Sequence, residues 1–177
     1  MNKLKPIRLR TLKIRASFLL KDIHTPSPAS LVAATTLCNI PVFAGKTAQW
    51  LLEHPEAVKL KHAYQAIAWE MGFNSWDRLK HTIVLNDCLY KPGGVAYIHA
   101  WFRDYGTAEA YFKQHGGFLL AFWKDIVVCG KEYIECLELD QYGVHWQQIG
   151  YNWIKPEAQA SFEFLQQQAI RNYLSQQ

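Results

Sequence analysis

The sequence has no run approaching the roughly 18 apolar residues needed to span a bilayer. Its longest candidate, Phe118 to Cys129, is interrupted by Lys124 and Asp125, so no membrane span is expected. Cysteine is sparse: Cys38, Cys88, Cys129 and Cys136 are widely spaced and form no CxxC pair. That spacing signals neither a zinc ribbon nor a disulfide framework, and reduced thiols in a cytoplasmic protein are the expectation. The first twenty residues are basic and acid-free, somewhat like an organellar presequence, but the apolar stretch Ala16 to Leu20 is too short for a secretory signal. Also missing are HExxH, zinc-finger histidine spacing, GxSxG and GxGxxG. No metal site and no cofactor is therefore expected.

What is present is apolar and aromatic. Half of the 177 residues are hydrophobic, with seven Trp, nine Tyr and nine Phe. A chain of this length and composition can bury one sizeable core, which argues against disorder. The net charge of +4 is unevenly placed. Lys3, Lys5, Arg8, Arg10, Lys13, Arg15 and Lys21 face only Asp22 within the first 24 residues, giving that segment +6. Such asymmetry points to an anionic partner, whether nucleic acid, an anionic membrane or an acidic protein surface. The plainer reading is a solvated cationic helix face.

Hydrophobic spacing organises the chain. Leu9, Leu12, Ala16, Leu19, Leu20 and Ile23 make a helical stripe ended by the Thr25 to Pro28 segment, while Ile14 and Phe18 sit opposite that stripe and need a cover of their own. Ser27 and Pro28 should open a second helix reaching Cys38, and a short helix is expected over Thr47 to Glu53. Leu60, Ala63, Tyr64, Ile67, Ala68 and Met71 recur at helical spacing, followed by Gly72 as a left-handed stop. Asn74 or Ser75 then caps a helix in which Trp76, Leu79 and Ile83 face inward. Asn86 to Gly94 reads as an internal linker. Beyond it, Phe118 to Phe122 and Ile126 to Cys129 form a hairpin, and a last helix follows Pro156. The expected fold is α+β: a mostly helical single domain over 1–177, with a helical subregion at 1–86 and a mixed subregion at 95–177 containing a small β-hairpin.

Several chemical readings compete with plainer ones. Gly45-Lys46-Thr47 matches the end of a phosphate-binding loop, but the glycine required five residues earlier is Ile40. A turn with Thr47 as cap is favoured. The helix-turn-helix pair offers Arg78, Lys80 and His81 to DNA, yet Arg78 and His81 occupy positions where DNA-reading turns place core residues. Cys129, Cys136, His145 and His115 converge only if folding brings them together. An enzyme would use His99 or His115 with one of Asp104, Glu109, Asp125, Glu132, Glu135, Glu138 or Asp140.

The segment Val58 to Lys80 carries LKHA (Leu60–Ala63), IA (Ile67–Ala68), GF (Gly72–Phe73), SW (Ser75–Trp76) and LK (Leu79–Lys80). It resembles a recurring bacterial segment found beside glyoxalase-like domains and in some ankyrin-repeat proteins. Trp101–Tyr105, His115–Leu120, Val127–Gly130 and Ile149–Pro156 extend the likeness to a stand-alone bacterial family, covering about Val42 to Pro156. The resemblance implies that the helix pair is a structural unit. It implies no catalytic residues, and the metal-binding halves of the glyoxalase fold have no counterpart in this chain.

The resulting expectation is a non-enzymatic binding or regulatory protein that engages an anionic partner, nucleic acid or an acidic protein, through Arg8, Arg10, Lys13 and Arg15. The alternatives are an enzyme with a pocket in the aromatic C-terminal half and an interaction subunit that forms a homodimer through Ile14 and Phe18.

Overall fold

The computed structural model describes residues 4–177; Lys3, counted in the basic segment, lies outside them. The fold is α+β and mostly helical, with a small antiparallel sheet in the C-terminal half. The chain forms two compact units, Met1–Ile83 and Val84–Gln177.

The first unit begins with α1 (Leu9–His24), whose Leu9, Leu12, Ala16 and Ile23 are buried along the expected stripe. After Pro26 and Pro28, α2 (Ser30–Cys38) starts two residues later than the Ser27 cap suggested. Ser27 Oγ accepts from the Ala29 amide and donates to Asp22, so it organises the turn before the helix. Ala33, Ala34, Leu37, Ile40, Phe43 and Leu51 build the core with Ile23. Thr47 accepts from the Trp50 amide at 3.1 Å and starts the short α3 (Ala48–Glu53), while Lys46 lies over the Trp50 ring. A 3-10 turn at Pro41–Phe43 precedes this segment, so Lys46 and Thr47 serve the turn and its cap.

The helix pair consists of α4 (Leu60–Glu70) and α5 (Trp76–Asp87). Gly72 has φ +80. Its amide donates to Trp69 O, and the Phe73 amide donates to Ala68 O, the paired bonds of a Schellman stop. Ser75 caps α5 through its contact with the Arg78 amide. The inward face of α4 differs from the expectation: Ala63, Ala66, Ile67 and Ala68 are buried, Met71 is half-buried, and Leu60 is exposed. Small alanines let α4 approach α1 closely, which displaces the bulkier ends of the stripe toward solvent. Trp76 is likewise only half-buried, stacked on Tyr64 with ring centroids 4.4 Å apart.

In the second unit, β1 (Ile98–Phe102), β2 (Phe118–Phe122) and β3 (Asp125–Cys129) form an antiparallel sheet in the order β1-β3-β2. The expected hairpin is β2–β3, with Phe118 opposite Cys129 and Phe122 opposite Asp125. The strand β1 adds to β3 with an irregularity between Ile98 and Ala100. Asp104 caps α6 (Tyr105–His115), whose Ala108 meets Leu119 and Val128 on one sheet face. Leu120 and Val127, alternating to the other face, are equally buried. α7 (Lys131–Cys136), α8 (Gly143–Gln148) and α9 (Gln159–Ser175) complete the unit.

The segment expected to be a linker is built into this unit. Cys88, Leu89 and Gly94 are buried. Tyr133 explains why: its hydroxyl donates to Leu89 O at 2.8 Å and accepts from the Lys91 amide at 3.0 Å. A side chain at Gly94 would bring its Cβ within 2.9 Å of the Tyr133 ring, so glycine is required there for close packing.

Candidate interaction surface

The exposed side of α1 decides what this helix can do. At about 100° per residue, the buried Leu9, Leu12, Ala16 and Ile23 place Ile14 and Phe18 on the opposite side. Both are open to solvent, at 47% and 59% of their full exposure, and α2 contributes Leu31 at 60% and Val32 at 69%. Together they bring four large apolar side chains to the surface of a unit whose other α1 groups are mainly charged.

Between Phe18 and Val32 runs a groove of about 310 Å³, floored by Leu19, Ala33 and Ile67. Asp22 of α1 and Glu70 of α4 also line it. Arg15 spans the gap to α4, its guanidinium 3.0 Å from Glu70, and Asp22 accepts from Ser27 Oγ at 3.1 Å. The four cations singled out from sequence therefore do not share one face. Arg8, just before α1, and Arg15, seven residues on, fall on one side of the Ile14 and Phe18 ridge; Arg10 and Lys13, with Lys21, fall on the other. The contribution missed by sequence reading is the α2 pair Leu31 and Val32. Its only signal was that Ser30, Ala33, Ala34 and Leu37 already complete an inward face.

A second hollow, open and about 670 Å³, lies at the helix-pair corner and includes Gly72, Phe73, Asn74, Asp77, Arg78 and His81 in its lining. Arg78 and His81 are exposed there, with Asp77 beside them.

Of the enzyme candidates, His99 and Glu132 come together over Gly130, whereas His115 packs on its own helix. The ring of His115 stacks on Tyr111 and its Nδ1 meets Tyr111 O at 3.0 Å. His99 is exposed on β1, and a Cβ added at Gly130 would stand 3.1 Å from its Nε2 and 2.5 Å from Glu132 Oε2. Neither histidine lines the groove or the hollow. Three of the seven candidate carboxylates are engaged in surface ion pairs: Asp125 with Arg103 at 2.7 Å, Glu109 with Lys113 at 3.3 Å, and Glu135 with Lys131 at 3.5 Å. Glu109 also accepts from Tyr105, and that hydrogen bond holds its carboxyl below the ordinary range.

His145 Nδ1 lies 3.1 Å from Ser161 Oγ, but this buried hydroxyl is donated to Gln148 Oε1 at 2.5 Å. The pair is a polar knot inside the unit. Burial pushes the Cys88 and Cys129 thiols up to about 12, which removes them as thiolate nucleophiles near neutrality. Among the described residues no group of three or more His, Cys, Asp or Glu side chains is arranged to hold a metal ion.

Comparison of the chain with protein-family models, with curated proteins and with solved structures gives no match.

Proposed function

We propose that this protein is a non-enzymatic binding module whose first unit engages an acidic partner protein. The observation that carries the reading is the exposed apolar ridge of Ile14 and Phe18 with Arg10 and Lys21 along its flank and Lys13 further round the same side of α1. Residues 1–83 hold twelve Lys and Arg against five Asp and Glu, a net of +7, whereas residues 84–177 hold seven against ten, a net of −3. The cationic field steers an acidic partner toward the first unit, and apolar contact then retains it.

Nucleic acid fits this surface less well. Phosphate tracking calls for cations converging along one path, whereas here Arg15 pairs with Glu70 and the outermost residues are hydrocarbon. The free thiols fit a reducing, cytoplasmic setting.

The test is fluorescence anisotropy with three labelled probes: an 18-residue helical peptide with leucine on one face and glutamate elsewhere, a single-stranded 20-mer DNA and the corresponding duplex. The expected result is that the peptide binds more tightly than either DNA at equal salt, and that Arg10→Glu, Lys13→Glu and Lys21→Glu together weaken it at least tenfold. Tighter DNA binding, or indifference to that charge reversal, overturns the reading.

A further inference from the structure

We propose that the open hollow at the helix-pair corner binds a zwitterionic amino acid, with its carboxylate on Arg78, its ammonium on Asp77 and an apolar side chain against Phe73. This goes beyond the acidic-partner reading, which rests on α1, and it uses none of the α1 side chains.

Helical direction sets the arrangement. Asp77, Arg78, His81 and Thr82 belong to α5, and all four line the hollow. At about 100° per residue they share one side of that helix, the side turned away from the buried Leu79 and Ile83. Going round that side the order is Asp77, His81, Arg78 and Thr82, so an acid and a cation flank an imidazole. The turn before α5 completes the lining with Phe73 and Asn74. Phe73 brings the large apolar side chain of the lining, and the bond from its amide to Ala68 O fixes the backbone that carries it. The volume of about 670 Å³ falls in the range of small-molecule sites and holds an amino acid with a large side chain.

Charge then identifies the ligand. Adjacent residues of a helix do not face each other, and Asp77 and Arg78 form no ion pair. Among the described residues neither of them meets any oppositely charged side chain. Arg15, Arg103, Lys113 and Lys131, by contrast, each reach a carboxylate. The hollow therefore presents an unpaired cation and an unpaired anion on either side of His81. A phosphate or a simple carboxylate gains from Arg78 but meets Asp77, and an amine gains from Asp77 but meets Arg78. A ligand whose ammonium and carboxylate are joined through one carbon is complementary to both. The guanidinium fork of Arg78 matches the two carboxylate oxygens. His81 serves either end, because a neutral imidazole offers one donor and one acceptor nitrogen.

Titration of the ¹⁵N-labelled full chain with L-phenylalanine, N-acetyl-L-phenylalanine and L-phenylalaninamide, followed by amide chemical shifts, tests the proposal. L-Phenylalanine should bind with a Kd below about 1 mM and shift amides of the α4–α5 turn and the first half of α5. Each blocked form lacks one charge-assisted contact and should bind about tenfold more weakly. Asp77→Asn should abolish the preference for the free over the acetylated form and keep the preference over the amide. Arg78→Gln should do the reverse. Both side chains are exposed, and an unchanged circular dichroism spectrum confirms that the variants fold.

Absence of shifts at about 10 mM L-phenylalanine overturns the proposal. Equal binding of either blocked form overturns it as well, as do preferences that survive the two substitutions. Inorganic phosphate binding more tightly than L-phenylalanine overturns it by reassigning the hollow to anions.

Discussion

Replacing Asp87 tests the packing of the second unit at its most exposed assumption, a buried acid. The side chain is 1% exposed. One carboxyl oxygen accepts from Trp123 Nε1 and the other from Tyr173 Oη, both at 2.8 Å. The residue thereby joins the end of α5, the β2–β3 turn and α9. In Asp87→Ala two donors lose this acceptor. A buried donor left unpaired costs about 1–3 kcal/mol. Tyr173 is buried and loses this bond where water enters least, whereas Trp123 is half-buried and water can replace part of its bond. The expected loss is about 2–4 kcal/mol. Asp87→Asn should cost only about 1 kcal/mol, because the amide oxygen can serve the indole while the phenol hydroxyl turns to accept from the amide nitrogen. Urea denaturation followed by circular dichroism measures the change. Amide exchange at Val127 and Val128 assigns it to the second unit. An alanine variant within 0.5 kcal/mol of the parent, on the scale of ordinary surface changes, would refute the reasoning, as would an asparagine variant no better than alanine.

Two further perturbations address local chemistry. His62 Nδ1 accepts from the Lys59 amide at 3.1 Å. Burial, then the neighbouring charge of Lys61, lowers its pKa below the ordinary 6.5. The unfolded chain therefore takes the proton first, so this contribution to stability is constant above pH 6.5 and declines as pH falls toward the folded value. His62→Asn should flatten the pH dependence of the thermal midpoint between pH 7 and 5; an unchanged slope would exclude His62 as its source. Glu138 and Trp123 both have positive φ, 58° and 56°, but they should respond oppositely to glycine. Glu138 is an exposed left-handed stop after α7, so Glu138→Gly should stabilise by about 0.5 kcal/mol in urea titration. Trp123→Gly loses the bond to Asp87 and should destabilise by about 2 kcal/mol; the same sign for both would contradict the assignment of strain.

The elements legible in the sequence were those with a local cause. Leu9 to Ile23 sets a helical period, Gly72 supplies the left-handed stop, Thr47 supplies a cap, and Phe118 to Cys129 alternates around a turn. Pairings between distant segments were less legible. The residues of β1 suit a strand in composition, but its partner β3 begins 23 residues beyond its end. The glycines at 93 and 94 suggested a linker because their composition is shared by flexible chain and by backbone pressed against an aromatic ring. Only Tyr133 distinguishes the two. Asp87 left a clearer signal that went unused: it continues the Leu79 and Ile83 stripe at four-residue spacing, so an acid stood on a buried face.

The same distinction governs the candidate site. The concentration of positive charge before Thr25 is a property of composition, but a binding face is a property of direction. Helical geometry divides Arg8 and Arg15 from Arg10 and Lys13, and Glu70, 55 residues away from Arg15 in sequence, then takes one of these cations into an ion pair. Summed charge therefore overstates the anion-binding capacity of α1. Ile14 and Phe18 behaved differently because periodicity already placed them away from the buried stripe. What periodicity did not contain was the contribution of α2, whose exposed Val32 lines the same groove as Phe18.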